Sequence, residues 1–508
     1  MTDTSLGTRS QSWSAEERLA ALTVLGLAAL TLLRVAGLGL SQAELDFEEA
    51  QYWTWSLAPA FGYYSKPPLI AWIIGAAGSL CGSGEACIRL PAPLLWFGTA
   101  VLIFALTRRL YDVRTAAWTA ALLALAPGVA FSARLMTTDV PLLFCWALAL
   151  LALLRLKETG ATRWAMLLGL AVGVGLLAKY AMVYFLACAL VAAVLDRETR
   201  RVALSRQGLL ALGIAALIFA PNLIWNAVNG FPTFTHTQDN VAGRGLRFEP
   251  DKWLAFFAGQ LALIGPILFV ALAARIAGWG RNRLSEADRF LLAFSAPVLV
   301  ALALYAFVTP ANANWAAVAY VAGVPLATAV LVRLGRPMLL KLSLAIGLVA
   351  QLGLLAGDAL ASRIGLPFYP RHDPYARVQG WARLGHEIEA FARRTGVSTL
   401  AIARRSEVAL FSYYLRGAGI EVVAWPWATH PANHYEWTRP LGGSSPVLFL
   451  WPERMRDALA TAYAEVTEFG NVTVPTGPTT TRSLQVYRLA EPRGVKPFGA
   501  VVGSAAQP

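Results

Sequence analysis

The sequence predicts a polytopic α-helical membrane protein of about eleven spans, with short juxtamembrane helices in its first outer loop and a small C-terminal α/β domain outside the membrane. Three observations carry this. The 508 residues are 57% hydrophobic and only 14% charged, against about 25% charged in soluble chains. The apolar residues gather in runs near the ~20 residues that cross a bilayer. The composition then changes after Pro367 to alternating helix-like and strand-like stretches.

In chain order, spans are expected near 19–40, 91–108, 115–133, 138–155, 163–179, 181–195, 207–226, 253–275, 289–308, 315–333 and 338–358. The first lacks a small-x-small cleavage site and reads as an anchor. The segment 69–80 is apolar, shorter than about 17 residues and preceded by Pro67-Pro68, so it reads as a helix lying at the surface. That choice puts every arginine group on one side: Arg108, Arg109 and Arg114; Arg197, Arg200, Arg201 and Arg206; Arg275, Arg281, Arg283 and Arg289; Arg333 and Arg336. Short basic connectors mark the cytoplasmic side. The formal charge of +13 is therefore mostly topology, and no nucleic-acid partner is expected.

The organisation expected is a cytoplasmic tail over 1–18, a transmembrane module over 19–360 with its first outer loop at 41–90, an outer α/β domain over 361–491 and a loose tail over 492–508. In the outer domain a helix is expected at 380–395, with strands at 398–403, 420–424, 447–451 and 484–489. The N-terminus is placed in the cytoplasm and the C-terminal domain in the periplasm or outside, across a cytoplasmic (inner) membrane. Cys81 and Cys87 fall in the first outer loop, where a disulfide is permitted but not established by spacing. No cysteine spacing fits zinc, and Pro426 and Pro431 count against a metal pair at His430 and His434.

Nearly every distinctive polar residue falls on the outer side. The first loop reads Glu44-Leu-Asp46-Phe-Glu48-Glu49-Ala-Gln-Tyr52-Trp53, then Gly62-Tyr63-Tyr64-Ser-Lys66-Pro67-Pro68. Glu48 and Glu49 are adjacent and would splay by about 100° on a helix, so they cannot both face one site. Asp46 and Glu48 would project together if the stretch were extended. Helix-end carboxylates and catalytic carboxylates are both open readings here. Asp139, after Arg134-Leu-Met-Thr-Thr and before Val140-Pro141, is equally readable as a cap or a catalyst. Lys66, Arg134 and Lys179 could hold a phosphate together, or each could snorkel. Tyr52, Tyr64, Asn226, His236, Asn314 and Trp315 suit sugar hydroxyls and faces, and ordinary turns as well.

The motifs Glu48-Glu-Ala-Gln-Tyr-Trp, Gly62-Tyr-Tyr-Ser-Lys-Pro-Pro-Leu-Ile-Ala-Trp and Met136-Thr-Thr-Asp-Val-Pro-Leu-Leu resemble the bacterial branch of the dolichyl-phosphate-mannose protein mannosyltransferase family. These are family 39-like glycosyltransferases of the GT-C fold, related to the aminoarabinose transferases that modify lipid A. Pro221-Asn-Leu-Ile-Trp-Asn-Ala-Val-Asn-Gly and Asn314-Trp-Ala-Ala-Val-Ala-Tyr are similar to later family motifs. The resemblance implies a polyprenyl-phosphate sugar donor, an outer-face active site, a phosphate contact at Lys66 and a second-loop acid at Asp139. The family's Asp-Glu-Ala begins here with Glu48, which leaves the base open between Glu48 and Asp46.

The function expected is transfer of a sugar from polyprenyl phosphate to a lipid, glycan or protein acceptor. Glu48 or Asp46 would deprotonate the acceptor, and Asp139 would orient the acceptor or the base. Lys66, with Arg134 or Lys179, would stabilise the departing phosphate. No cofactor is required by the sequence, although Asp46, Glu48 and a phosphate are a donor set that Mg²⁺ or Mn²⁺ would suit. The alternative is a transporter or flippase of the same lipid-linked sugars, with the carboxylates coupling protons.

Overall fold

The computed structural model of the protein describes residues 13–242, 249–278, 284–361, 375–494 and 497–502. The tail up to residue 12, Arg281 and Arg283, the side chains of Asp239 and Asn240, the composition change after Pro367 and residues 503–508 lie outside the described residues.

Helix follows each of the eleven apolar runs, and among the described residues seven helices are long and apolar enough to cross a bilayer. They are Ala15–Leu40, Glu85–Leu110, Asp139–Thr159, Arg206–Val228, Glu286–Val308, Ala313–Arg333 and Pro337–Ala359. The chain is a multi-pass helical membrane protein. The finer count of eleven is not reproduced. Thr162–Ala178 and Tyr180–Leu195 are shorter apolar helices, and the run at 253–275 is two helices meeting at 114°. Gly265 supplies the bend with φ +83°, and Pro266 starts the second helix without an N–H to continue the first. The run at 115–133 likewise breaks into Val113–Ala124 and Pro127–Ser132, again at a proline.

The segment read as a surface helix is Leu69–Cys81, whose 13 residues rise about 20 Å, well short of a bilayer core. A disulfide joins Cys81 to Cys87 with Cα atoms 5.8 Å apart, closing the turn into Glu85–Leu110. At the opposite end of the bundle from this loop, ion pairs tie the basic connectors. Arg109 meets Glu158 at 3.2 Å, and Asp288 takes both Arg275 and Arg333.

The C-terminal unit is a five-stranded sheet: β1 (Thr399–Ile402), β2 (Glu421–Ala424), β3 (Val447–Trp451), β4 (Tyr463–Pro475) and β5 (Thr481–Pro492). Their order is β2-β1-β3-β5-β4, parallel among the first three and antiparallel through β5 and β4. Helices Trp381–Thr395 and Arg405–Tyr414 pack with it. Four strands and the first helix stand where the sequence put them; β4 and Arg405–Tyr414 were not foreseen. The tail expected to be loose from residue 492 instead carries helix Phe498–Val502. Phe498 is wholly buried between Trp425, Trp427 and Trp451, and that burial holds the segment down.

One buried ion pair fixes the loop that follows helix Ala15–Leu40. Asp46 caps helix Phe47–Ser56 and Glu49 completes the capping box, so the stretch is helical and not extended. Glu49 then meets Arg89 at 2.8 Å, with both side chains almost fully buried. Arg89 also donates to the carbonyls of Ala43 and Glu44, and Glu49 accepts from the backbone N–H of Met136. A pair this enclosed is costly to break, because the survivor is left as an uncompensated buried charge. Glu49→Ala is expected to remove about 3–5 kcal/mol of stability, read as a large drop in thermal midpoint in detergent. An unchanged midpoint would show that the pair does not hold the loop.

Candidate active site

The loop that carries Lys66 is held by close contacts on three sides. The Trp55 and Tyr63 rings stack at 4.6 Å, and the Tyr63 hydroxyl donates to the carbonyls of Trp55 and Ala58. Thr233 donates to the Tyr63 carbonyl, and Asn222 donates to that of Phe61 at 2.6 Å. Gly62 lies against the Trp225 ring, where a Cβ would come within 2.3 Å of a ring carbon. Only glycine permits that approach. The Gly-Tyr-Tyr-Ser-Lys-Pro-Pro and Pro-Asn-Leu-Ile-Trp-Asn motifs are therefore two halves of one contact.

Around Lys66 the structure gathers charges from four separate segments. Burial holds its ammonium below the usual lysine range; Glu48 and Asp139 pull it back up, while Lys179 and Arg405 push it down. Lys66 makes no ion pair among the described residues. Lys179 is different: it meets Asp139 at 2.7 Å, so its charge is answered locally. Asn314 donates to the other Asp139 oxygen at 2.9 Å. Tyr52 is buried beside the same group. Its burial raises its pKa far above the usual phenol value, and Glu48 and Asp139 raise it further. Asp139 and Asn314 also border a cavity of about 740 Å³ whose walls are otherwise largely apolar, among them Trp96, Leu143 and Tyr320. Among the described residues no three His, Cys, Asp or Glu side chains group where they could hold a metal ion.

A half-buried cation under the influence of two carboxylates, one of which borders an apolar cavity, is an arrangement that suits chemistry on a lipid-borne anion. The family model for dolichyl-phosphate-mannose-protein mannosyltransferase matches residues 65–225, the stretch holding Lys66, Asp139 and Lys179. The chain is 36% identical over 433 residues to lipid A galacturonosyltransferase RgtD of Rhizobium johnstonii, spanning 84% of this chain and 90% of that one. The chain belongs to the GT-C glycosyltransferases. A second relative of this transferase, the lipopolysaccharide core galacturonosyltransferase RgtA of the same organism, is 31% identical over 45% of the chain and 46% of its own length. In fold, the GT-C transferase is similar to the crystal structure of ArnT from Cupriavidus metallidurans bound to undecaprenyl phosphate. The TM-score is 0.61 and the identity 16%, with 96% of this chain and 99% of that one covered.

Of the carboxylates singled out in the transferase sequence, Glu48 and Asp139 both act electrostatically on Lys66 and Tyr52. Asp46 is engaged as a helix cap, accepting from Glu48 N–H at 3.1 Å and pairing with Arg377 at 3.3 Å. Burial nevertheless raises its pKa. Arg134, read as a phosphate ligand, is turned elsewhere: it pairs with Asp358 at 2.6 Å and lies over the rings of Phe131 and Tyr375. Asn226 is fully buried, donating to Tyr180 and to the carbonyl of Asn222, so it serves the scaffold. Tyr64 donates to the Pro431 carbonyl and packs near His236 and Trp437. Trp315 packs beside Tyr305 at 5.9 Å. Sequence reasoning missed Arg405, which lies about 350 residues downstream of the first loop and in no motif.

The depressed Lys66 pKa has a sign. The ammonium is present below its pKa and lost above it, so donor binding should fall off below the ordinary lysine value of about 10.4. The alkaline limb of kcat/KM for the donor is expected in that lower range, and Lys66→Arg should move it upward. A limb that stays put in Lys66→Arg would assign it to another group.

Proposed function

We propose that this transferase moves a uronic sugar from a polyprenyl-phosphate donor to a lipid A-type acceptor on the outer face of the bacterial inner membrane. The observation that carries the reading is Lys66, a half-buried ammonium without an ion pair, flanked by Glu48 and Asp139. The resemblance to RgtD supports the galacturonosyl donor and the lipid A acceptor, and the ArnT likeness supports the fold on which such a donor sits. Collection of the basic connectors at the far end of the bundle supports the outer placement of the site.

In this mechanism Glu48 takes the proton of the acceptor hydroxyl. The freed oxygen attacks the anomeric carbon in line, the bond from that carbon to the phosphate oxygen breaks, and the electron pair leaves on the phosphate. Lys66 stabilises that developing charge. Asp139, held by Lys179 and Asn314, positions the acceptor beside Glu48. The apolar cavity reaching Asp139 takes the hydrocarbon of a lipid substrate. The pairing of Asp46 with Glu48 around a divalent cation does not fit, because Asp46 is engaged by the helix cap and Arg377; no step is routed through a cation.

The test is transfer by purified protein in detergent, using radiolabelled polyprenyl-phosphate galacturonate and lipid A. Glu48→Gln should lower kcat by about 10²–10⁴, and Lys66→Ala by about 10²–10³, each with normal insertion and melting. Turnover unchanged by Lys66→Ala would remove the phosphate role. Label crossing sealed liposomes with no transfer would favour a flippase instead.

A further inference from the structure

We propose that Arg405 binds the carboxylate of the donor's uronic acid, so that the outer unit supplies the residue selecting an acidic sugar. The inference rests on reading Glu48, Lys66 and Asp139 as the transfer site.

Three cations surround that site, and they differ in how their charge is answered. Lys179 has Asp139. Lys66 is left for the phosphate. Arg405 makes no ion pair among the described residues: its guanidinium donates to the neutral Gln51 amide at 3.3 Å and lies over the Phe47 ring at 5.3 Å. Phe47 and Gln51 are one turn apart on the capped helix, immediately beside Glu48 and Tyr52, which are also one turn apart. Arg405 is thus steadied against the catalytic helix by partners that orient it without neutralising it. Its charge reaches Lys66, Tyr52 and Tyr435.

The charge count of the donor fits two such cations. A sugar joined to a polyprenyl phosphate is a phosphodiester with one negative charge, which one ammonium answers. A second cation calls for a second anion, and the C6 carboxylate of a uronic acid is one. A guanidinium offers a planar fork that matches a carboxylate with two parallel hydrogen bonds, whereas the lysine is a point charge suited to phosphate. A neutral sugar would leave Arg405 unanswered in a half-buried place, at a cost that disfavours it.

The experiment compares full-length wild type, Arg405→Ala and Arg405→Lys with two synthetic donors, polyprenyl-phosphate galacturonate and polyprenyl-phosphate galactose. Each donor is followed as substrate and as competitive inhibitor, beside the affinity for sugar-free polyprenyl phosphate. Arg405→Ala should lower kcat/KM for the galacturonate donor about ten- to a hundredfold. Galactose donor and bare polyprenyl phosphate should change by no more than a few fold, and Arg405→Lys should recover part of the loss. An equal loss with both donors, or none with galacturonate, overturns the role of Arg405 and leaves the transfer site standing. Wild type that takes the galactose donor and refuses galacturonate overturns both readings.

Discussion

The buried pair of Glu49 and Arg89 is the constraint on which the rest of the site-bearing face depends. It closes the loop after the first helix upon itself through the carbonyls of Ala43 and Glu44, and it ties that loop to the turn before Asp139 through the Met136 N–H. Those ties set the rotation of helix Phe47–Ser56. With Glu49 turned inward to Arg89, the adjacent Glu48 must face elsewhere, about 100° around the helix. Its charge acts on Lys66. A structural carboxylate therefore sets the direction of its neighbour, the candidate base.

The loop bearing Lys66 is fixed by different means. Glycine lets it lie flat against Trp225, and Asn222 and Thr233 bind its backbone carbonyls. Lys66 itself needs no ion pair to be held, because the backbone on both sides of it is anchored. That matters chemically. A lysine positioned by its own carboxylate would already have its charge answered, as Lys179 has; one positioned by packing keeps its charge for an incoming anion.

Much of this was legible in the sequence, and the limits have physical causes. Span positions follow hydrophobicity and were readable, but whether a run is one helix or two turns on a single Gly-Pro step at residues 265–266. The adjacency argument that separated Glu48 from Glu49 needed only helix geometry. That Asp46, and not Glu48, caps the helix needed the structure, since both lie within the same short acidic run. Arg134 and Asn226 belong to motif-like stretches but are claimed by Asp358 and by Tyr180, partners far away in sequence, with Asn222 one turn back adding to the hold on Asn226. Arg405 gave no local signal, since its neighbours read as an ordinary amphipathic turn. Strand β4 lacks regular alternation of buried and exposed residues over its first nine positions and carries a register shift between Glu468 and Gly470, so the two-residue period is broken there.

The capped helix is enclosed from both sides. On one side it carries Glu48 and Tyr52; toward the sheet unit it meets Arg405, Tyr413 and Tyr435 through Gln51, Trp53 and Thr54. Trp381 and Ala382 further donate to Glu44, just ahead of it. Recombination between relatives at the sheet unit would consequently not exchange an accessory part. A graft there brings a new inner wall for the helix that carries the candidate base, so membrane half and sheet half must be inherited, or engineered, as one piece.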